Sequence, residues 1–346
     1  MVFIEGVNSY QVTIRLISME AHTQKILILM CHGLGVTFWS MLASTDIKKK
    51  YPDSEIWIGV KSQSKDLFFG LIDYDKTLEL NNVIGDRHRE KFLFKEYLSE
   101  LRRVRREKFN IAIDLTGNRY SALFLFLCGI KKRIGLNLHK LSFLYTMKGP
   151  KFDFSTHLIN KSIQTVNILF KCSRNNEQVL PEIAITDEAL CSNIGITKET
   201  LSTEKIALLV PGAGWQEKCW DLNSFAECGN FLTNKGYKII ISGSPAEKAL
   251  CVELSSMITN SITFNSNLKY FIALISYIDL AISNDNGAGH LIAASDKKLI
   301  SIFCGNTDPR ICGPIGRNVI IVEKENTTPK NVIPIIDVMI NTNAAK

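Results

Sequence analysis

Short apolar runs alternate along this chain with longer stretches whose apolar residues recur every three or four positions. In the first half, Lys25 to Met30, Glu55 to Val60, Asn110 to Asp114 and Lys132 to Gly135 are runs of the first kind; in the second half they are Lys205 to Val210, Tyr237 to Ser242, Asp279 to Ser283 and Lys298 to Cys304. Too short for helices and apolar on both faces, they predict strands of parallel sheets covered on both sides. The 3.6-residue period predicts helices over Phe38 to Lys50, Arg89 to Lys108, Tyr120 to Cys128 and Ser155 to Lys171, then Leu222 to Lys235, Pro245 to Met257, Lys269 to Tyr277 and Leu291 to Ser295. The alternation stops once, in a polar stretch from Ser173 to Glu204 that contains Pro181, and then begins again. Two α/β domains follow, residues 1–175 and 205–346, joined by a linker over 176–204. Gln11 to Ile17 reads as a strand extension without a place in either domain.

Composition narrows the class of object. With 346 residues, 46% of them hydrophobic and 22% charged, the chain is long enough for two cores. Nine cysteines without a C-x-x-C pair, and no signal-peptide pattern, lead to an expectation of free thiols in a reducing cytosol. No apolar run reaches the roughly 18 residues of a membrane span, and no cluster of His, Asp and Glu has metal-site spacing, so neither a membrane span nor a metal cofactor is expected. Charge is split unevenly: residues 1–175 hold 27 Lys/Arg against 16 Asp/Glu, or +11, and residues 176–346 hold 14 against 18, or −4. The densest basic stretch, Arg87 to Lys108, reads as an amphipathic helix with a solvated basic face, or as a surface attracting a phosphorylated substrate or anionic lipid. Nucleic acid is not expected, since no recognition motif accompanies that face.

Two Gly-rich turns carry the candidate chemistry. Pro211-Gly-Ala-Gly-Trp-Gln-Glu-Lys218 follows the Ile206 to Val210 run, and Asn284-Asp-Asn-Gly-Ala-Gly-His290 follows Leu280 to Ser283. Each is a strand running into a loop that opens a helix, where backbone N–H groups approach an anion closely and the helix N-terminus adds partial positive charge. A pair of such turns in one domain suits a diphosphate. Lys218 can neutralise that diphosphate and the charge developing on it as a bond to it breaks. The backbone of Asn286 and Gly287 can bind phosphate, while Asp285, itself an anion, reads as a loop-orienting cap or a partner for substrate hydroxyls. His290 either donates to the ligand or packs; Thr307 and Asp308 read as turn formers.

The segments Pro211 to Trp220, Ile241-Ser-Gly-Ser-Pro-Ala-Glu247, Ser283 to His290 and Phe303-Cys-Gly-Asn-Thr-Asp-Pro309 with Gly313-Pro314 closely resemble glycosyltransferase family 9, the ADP-heptose:lipopolysaccharide heptosyltransferases. Asp114-Leu-Thr-Gly117 with Ser121-Ala122, and Lys132-Arg-Ile-Gly135, are similar to that family's acceptor-domain landmarks. The resemblance spans about residues 25–320. It implies a GT-B architecture, two doubly wound Rossmann-like domains facing across a cleft, and an inverting transferase without a cofactor that uses ADP-heptose as donor. A donor site of Gly212, Ala213, Gly214, Lys218, Gly243, Glu247, Asp285, Asn286, Gly287 and His290 is implied, with Glu247 where the family holds the ribose hydroxyls. Arg119, Lys132 and Arg133 are the implied contacts to a phosphorylated glycolipid or glycan acceptor. The implied location is the cytoplasm, with peripheral contact at the inner membrane face.

One departure concerns catalysis. Where the family typically carries Gly-Asp at the head of the first helix, its aspartate being the general base, this chain has His32-Gly-Leu-Gly35-Val36. Val36 cannot accept a proton. His32, in the same loop, and Asp114 are the substitute candidates, with Asp73 and Asp75 behind them. Three classes of function therefore stand: a heptosyltransferase, a non-catalytic nucleotide-sugar-binding relative on the same scaffold, and a nucleotide-sugar 2-epimerase of shared fold. In the transferase, domain closure about the 173–204 linker would position the acceptor.

Overall fold

The computed structural model describes residues 24–68, 74–83, 94–169 and 185–342. Asp73, the Gln11 to Ile17 segment and the first part of both the basic stretch and the linker lie outside those residues.

Two six-stranded sheets, parallel throughout, carry the chain. The first holds β1 (Lys25–Leu29), β2 (Glu55–Val60), β3 (Lys76–Glu79), β4 (Ile111–Asp114), β5 (Lys132–Gly135) and β6 (Met147–Lys148), in the order β3-β2-β1-β4-β5-β6. The second holds β7 (Lys205–Val210), β8 (Tyr237–Ser242), β9 (Ile262–Phe264), β10 (Leu280–Asn284), β11 (Lys298–Phe303) and β12 (Val319–Glu323), in the order β12-β11-β10-β7-β8-β9. Both are doubly wound, and the predicted two-domain GT-B arrangement is what the chain adopts. The central strands are buried end to end because apolar residues occupy both faces: Ile26 and Ile28 pack toward the Leu34–Lys50 helix, Leu27 and Leu29 toward the Phe94–Arg106 and Arg119–Leu127 helices.

The order of strands reverses between β1 and β4 and between β7 and β10. At such a switch point the loops leaving neighbouring strands diverge to opposite faces and open a crevice. Register brings the ends level, Leu29 beside Asp114 and Val210 beside Ser283. Both Gly-rich turns and the His32 loop therefore leave at crevices. The two crevices meet: a Cβ on Gly287 would lie 2.6 Å from Leu34 Cβ, so the Gly287–Ala294 helix and the Leu34–Lys50 helix touch at their N-termini. Backbone contact reinforces this where Leu158 N–H donates to Ile311 O at 2.9 Å, and one apolar cluster runs from Phe38 and Trp39 through to Leu291 and Ile292.

The described part of the expected linker is not bare. Thr186 and Thr197 cap two short helices, Asp187–Ile194 and Lys198–Thr203, and Leu190, Ile194 and Leu201 are buried in the main apolar cluster. In the first helix Leu190, Cys191 and Ile194, spaced three and four apart, share one buried face, which polarity alone concealed.

Candidate functional site

Asn284, fully buried at the end of β10, joins the two Gly-rich turns. Its Oδ1 accepts the Trp220 N–H at 3.0 Å and its Nδ2 donates to Pro211 O at 2.6 Å. Asn286 makes a second tie, donating from Nδ2 to Gly212 O at 2.8 Å while Oδ1 accepts the Gly289 N–H at 3.0 Å. Asn286 is thus the N-cap of the Gly287–Ala294 helix, and the cap expected of Asp285 belongs to it. The amide donates to one turn from its nitrogen and accepts from the other through its oxygen; a carboxylate has no proton to give Gly212.

Asp285 instead holds Lys218. Nζ lies 2.5 Å from Asp285 Oδ2, which also accepts the Thr307 hydroxyl at 2.6 Å, and Lys218 and Asp285 are largely withdrawn from solvent. The ammonium also stands 4.9 Å from the Trp215 ring centroid. Thr307 is therefore a third member of this network and not a plain turn former, whereas Asp308 does cap the short Pro309–Cys312 helix. On one edge the site thus presents a fixed ammonium and a helix N-terminus, a combination that suits an anion.

Glu247 stands beside the first turn. Its Oε2 accepts both the N–H and the hydroxyl of Ser244 at 2.7 Å, which fixes the carboxylate. A Cβ on Gly212 would overlap that carboxylate, and one on Gly243 would come within 3.0 Å of Glu247 Cβ. Glycine at those two positions is what permits the approach. Ala213 is half-buried and Gly214 exposed, with open space where a Cβ would stand.

His290 is 7% exposed and lies edge-on to Trp39, ring centroids 4.5 Å apart; Trp39 makes a second edge contact with His157 at 4.7 Å. A Cβ on Gly35 would overlap the same His290 ring, with Nε2 at 2.9 Å. Gly35 thus faces His290, and Val36 is half-buried against the main apolar cluster. Nδ1 of His290 is buried without a hydrogen-bond partner. Burial, opposed by Asp285 and aided by His157 and Lys218, pushes the imidazole down to about 4 from 6.5, so it is neutral at pH 7.

Across the crevice, His32 Nε2 lies 3.1 Å from Leu115 O. A carbonyl only accepts, so the neutral ring donates from Nε2 and keeps its lone pair on Nδ1. Burial and the nearby Lys161 ammonium push His32 down to about 3. Lys161, unnoticed in the sequence as one lysine on an amphipathic helix, donates to Thr116 O at 2.8 Å and is itself pushed down to about 8 by burial. Asp114 is fully buried: Oδ1 accepts the Gly117 N–H at 2.8 Å and Oδ2 the Tyr145 hydroxyl at 2.7 Å, and burial raises its pKa. It braces the loop after β4. Asp75 is spent on the Ile56 N–H at 2.7 Å, at the start of β2 and away from the crevice.

The acceptor candidates separate. Arg119 opens the helix after β4, exposed, with its guanidinium donating to Tyr120 Oη at 2.7 Å. Lys132 and Arg133 instead begin β5, paired with Ile111 and Ala112 at the start of β4, on the edge opposite the crevice. Arg133 donates to Leu144 O at 2.7 Å and to Ile130 O. Neither joins Arg119 at the site, because parallel pairing puts a strand's first residues far from its last.

His32 and His290 make stability pH-dependent. Both are harder to protonate folded than unfolded, so their contribution is complete above pH 6.5 and is lost as pH falls toward 4. At about 1.4 kcal/mol per pKa unit, His290 alone accounts for about 3 kcal/mol. Urea midpoints measured from pH 7 to pH 4 should fall, and His290→Gln should flatten the fall; an unchanged slope in that variant would contradict the burial assigned to the ring.

Among the described residues no helix is long and apolar enough to cross a membrane, and no group of three His, Cys, Asp or Glu side chains is placed to hold a metal.

A family model, glycosyltransferase family 9 (heptosyltransferase), matches residues 98–334. The lipopolysaccharide core heptosyltransferase OpsX of Haemophilus influenzae is 23% identical over 314 residues, 86% of this chain and 82% of that protein. The structure of E. coli ADP-heptose LPS heptosyltransferase II superposes with a TM-score of 0.73 at 17% identity, covering 91% of this chain and 98% of the other. E. coli heptosyltransferase WaaC with ADP does so with a TM-score of 0.70 at 17% identity, covering 91% and 100%. These two likenesses are of fold.

Proposed function

This chain belongs to glycosyltransferase family 9, and from that premise we propose that it transfers a heptose from ADP-heptose, with inversion, to a lipopolysaccharide core or related surface glycan. The observation that carries the donor assignment is Lys218, held by the Asp285 carboxylate that Thr307 also engages, beside the Gly287–Ala294 helix N-terminus. A diphosphate seated there meets the ammonium and the helix dipole together, and both stabilise the charge that grows as the sugar leaves. Gly212, Ala213, Gly214 and Gly243 give the nucleotide close access, Glu247 takes the ribose hydroxyls, and the neutral His290 ring faces the sugar and diphosphate. Likeness to OpsX, a lipopolysaccharide core heptosyltransferase, supports the acceptor class, and Arg119 at the crevice suits its phosphate. The enzyme works in the cytoplasm, at the inner membrane face.

In a single displacement the acceptor oxygen bonds to the anomeric carbon as the bond to the diphosphate breaks, its electron pair leaving with ADP. The acceptor proton goes to His32 Nδ1, the lone-pair nitrogen. Asp114 serves less well, since both its oxygens are engaged in a fully buried position. A base this weak implies a late proton transfer, after most of the glycosidic bond has broken. His32→Gln should therefore slow transfer by about 10²-fold, the low end for a positioned base; an unchanged rate would remove His32 from the role.

Gly35-Val36 in place of the family's Gly-Asp favours a second reading, a nucleotide-sugar-binding relative that does not turn over. Calorimetric titration of ADP, UDP and GDP bears on the donor in both. Selective ADP binding is expected; preference for UDP or GDP would reject ADP-heptose, and no binding would reject the donor site.

A further inference from the structure

The Arg119–Leu127 helix is apolar on its exposed face as well as its buried one, which is unusual for a surface helix. Ser121, Ala122, Phe124 and Leu125 are buried, and the face left to solvent carries Arg119, Tyr120, Leu123, Phe126 and Leu127. At 100° per residue those five fall within one arc of about 120°, with a single charge among them. Phe126 is 47% exposed, and on the 3-10 turn Lys140–Leu144 that packs against this helix Phe143 is 70% exposed. Single exposed apolar side chains need no explanation; a contiguous aromatic face does.

The flanks are basic. Residues 119–154 hold seven Lys/Arg against one acidic residue, Asp153. Arg133 lies across Phe126, its guanidinium carbon 5.4 Å from the ring centroid. On the other side the Phe94–Arg106 helix packs alongside, Tyr97 against Phe124 at 5.7 Å, and its Arg105 is close enough to act on the Cys128 thiol at the end of the apolar helix. Arg102, Arg105 and Arg106 are exposed there. Aromatic side chains rimmed by cations match the layering of an anionic bilayer, where rings enter the headgroup region and cations meet phosphates.

We propose that this face, Tyr120, Phe126, Leu127 and Phe143 within its Lys/Arg rim, docks the protein on an anionic lipid surface. Its helix begins at Asn118, directly after the Asp114–Gly117 loop at the crevice, so docking holds the crevice mouth at the membrane. Arg133, absent from the crevice, belongs to this rim. The inference rests on the surface and not on the proposed reaction.

The test is sedimentation of the full chain with vesicles of phosphatidylethanolamine and phosphatidylglycerol, against phosphatidylcholine alone. Wild-type protein should bind the anionic vesicles at least tenfold more tightly, and Phe126→Ser/Phe143→Ser should lose at least tenfold of that affinity with an unchanged thermal unfolding midpoint. Absence of binding at low salt, or equal binding by the folded double variant, would overturn the proposal. So would a concentration-dependent dimer that the variant abolishes without any change in lipid binding, since a second copy would then be the occupant. Lys131→Ala/Lys140→Ala gives a milder check of the rim: loss of the anionic preference is expected, and its retention would contradict the assignment.

Discussion

Lys218→Met should lower kcat by about 10³-fold, the loss expected when a preorganised charge partner of the transition state is removed. It should also destabilise the fold. Asp285 is 6% exposed and would keep only the Thr307 hydroxyl, and stranding one partner of a buried pair costs about 3–5 kcal/mol. The double variant Lys218→Met/Asp285→Asn separates the effects: stability should recover while turnover stays low. Urea denaturation and ADP release measured on both variants make the check. If the double variant recovered activity along with stability, Lys218 would be a structural lysine and the donor assignment would fail.

Gly35→Ala should be severely damaging for a single added methyl group. The added Cβ meets the His290 ring, which has no room to retreat because Trp39 packs edge-on to it and His157 backs Trp39. Overpacking of this kind costs about 1–3 kcal/mol. Here the strain falls between the domains, where relief means parting the Leu34–Lys50 and Gly287–Ala294 helices. A displacement of about 1 Å between donor and acceptor groups is enough to cost about 10²-fold in rate. Gly33→Ala, two residues earlier, is the control: nothing lies within 4 Å of its Cβ position and its backbone is extended, so rate and stability should hardly change. Equal behaviour of the two variants in a thermal scan and a rate assay would contradict the packing described.

Much of this architecture is legible in the residues because buried parallel strands must be apolar on both faces. Lys205–Val210 and Tyr237–Ser242 announce themselves in that way. The strands at the sheet edges are harder to read: Lys76–Glu79 and Met147–Lys148 are short and partly polar, Ile262–Phe264 has only three residues, and Val319–Glu323, though apolar, is half-exposed and follows a Gly/Pro-rich loop that masks the alternation. The Gly-rich turns are visible for the same reason they work, since small residues and asparagines are what close backbone approach requires. How the site is wired is another matter. The partner of Lys218 lies 67 residues away and Thr307 a further 22 from Asp285, and no local pattern encodes pairings that sheet order creates. Gly35 is hardest of all to read, because its role is to lack a side chain opposite a histidine in the other domain.

Transfer of a heptose can be measured by incubating the purified chain with ADP-heptose and a phosphorylated lipopolysaccharide-core acceptor, following ADP release together with the mass and anomeric configuration of the product. Heptosyl transfer with inversion requires stoichiometric ADP release and a product carrying one added heptose in the inverted configuration. Tight ADP binding without transfer to any core acceptor, or a product of retained configuration, would contradict it.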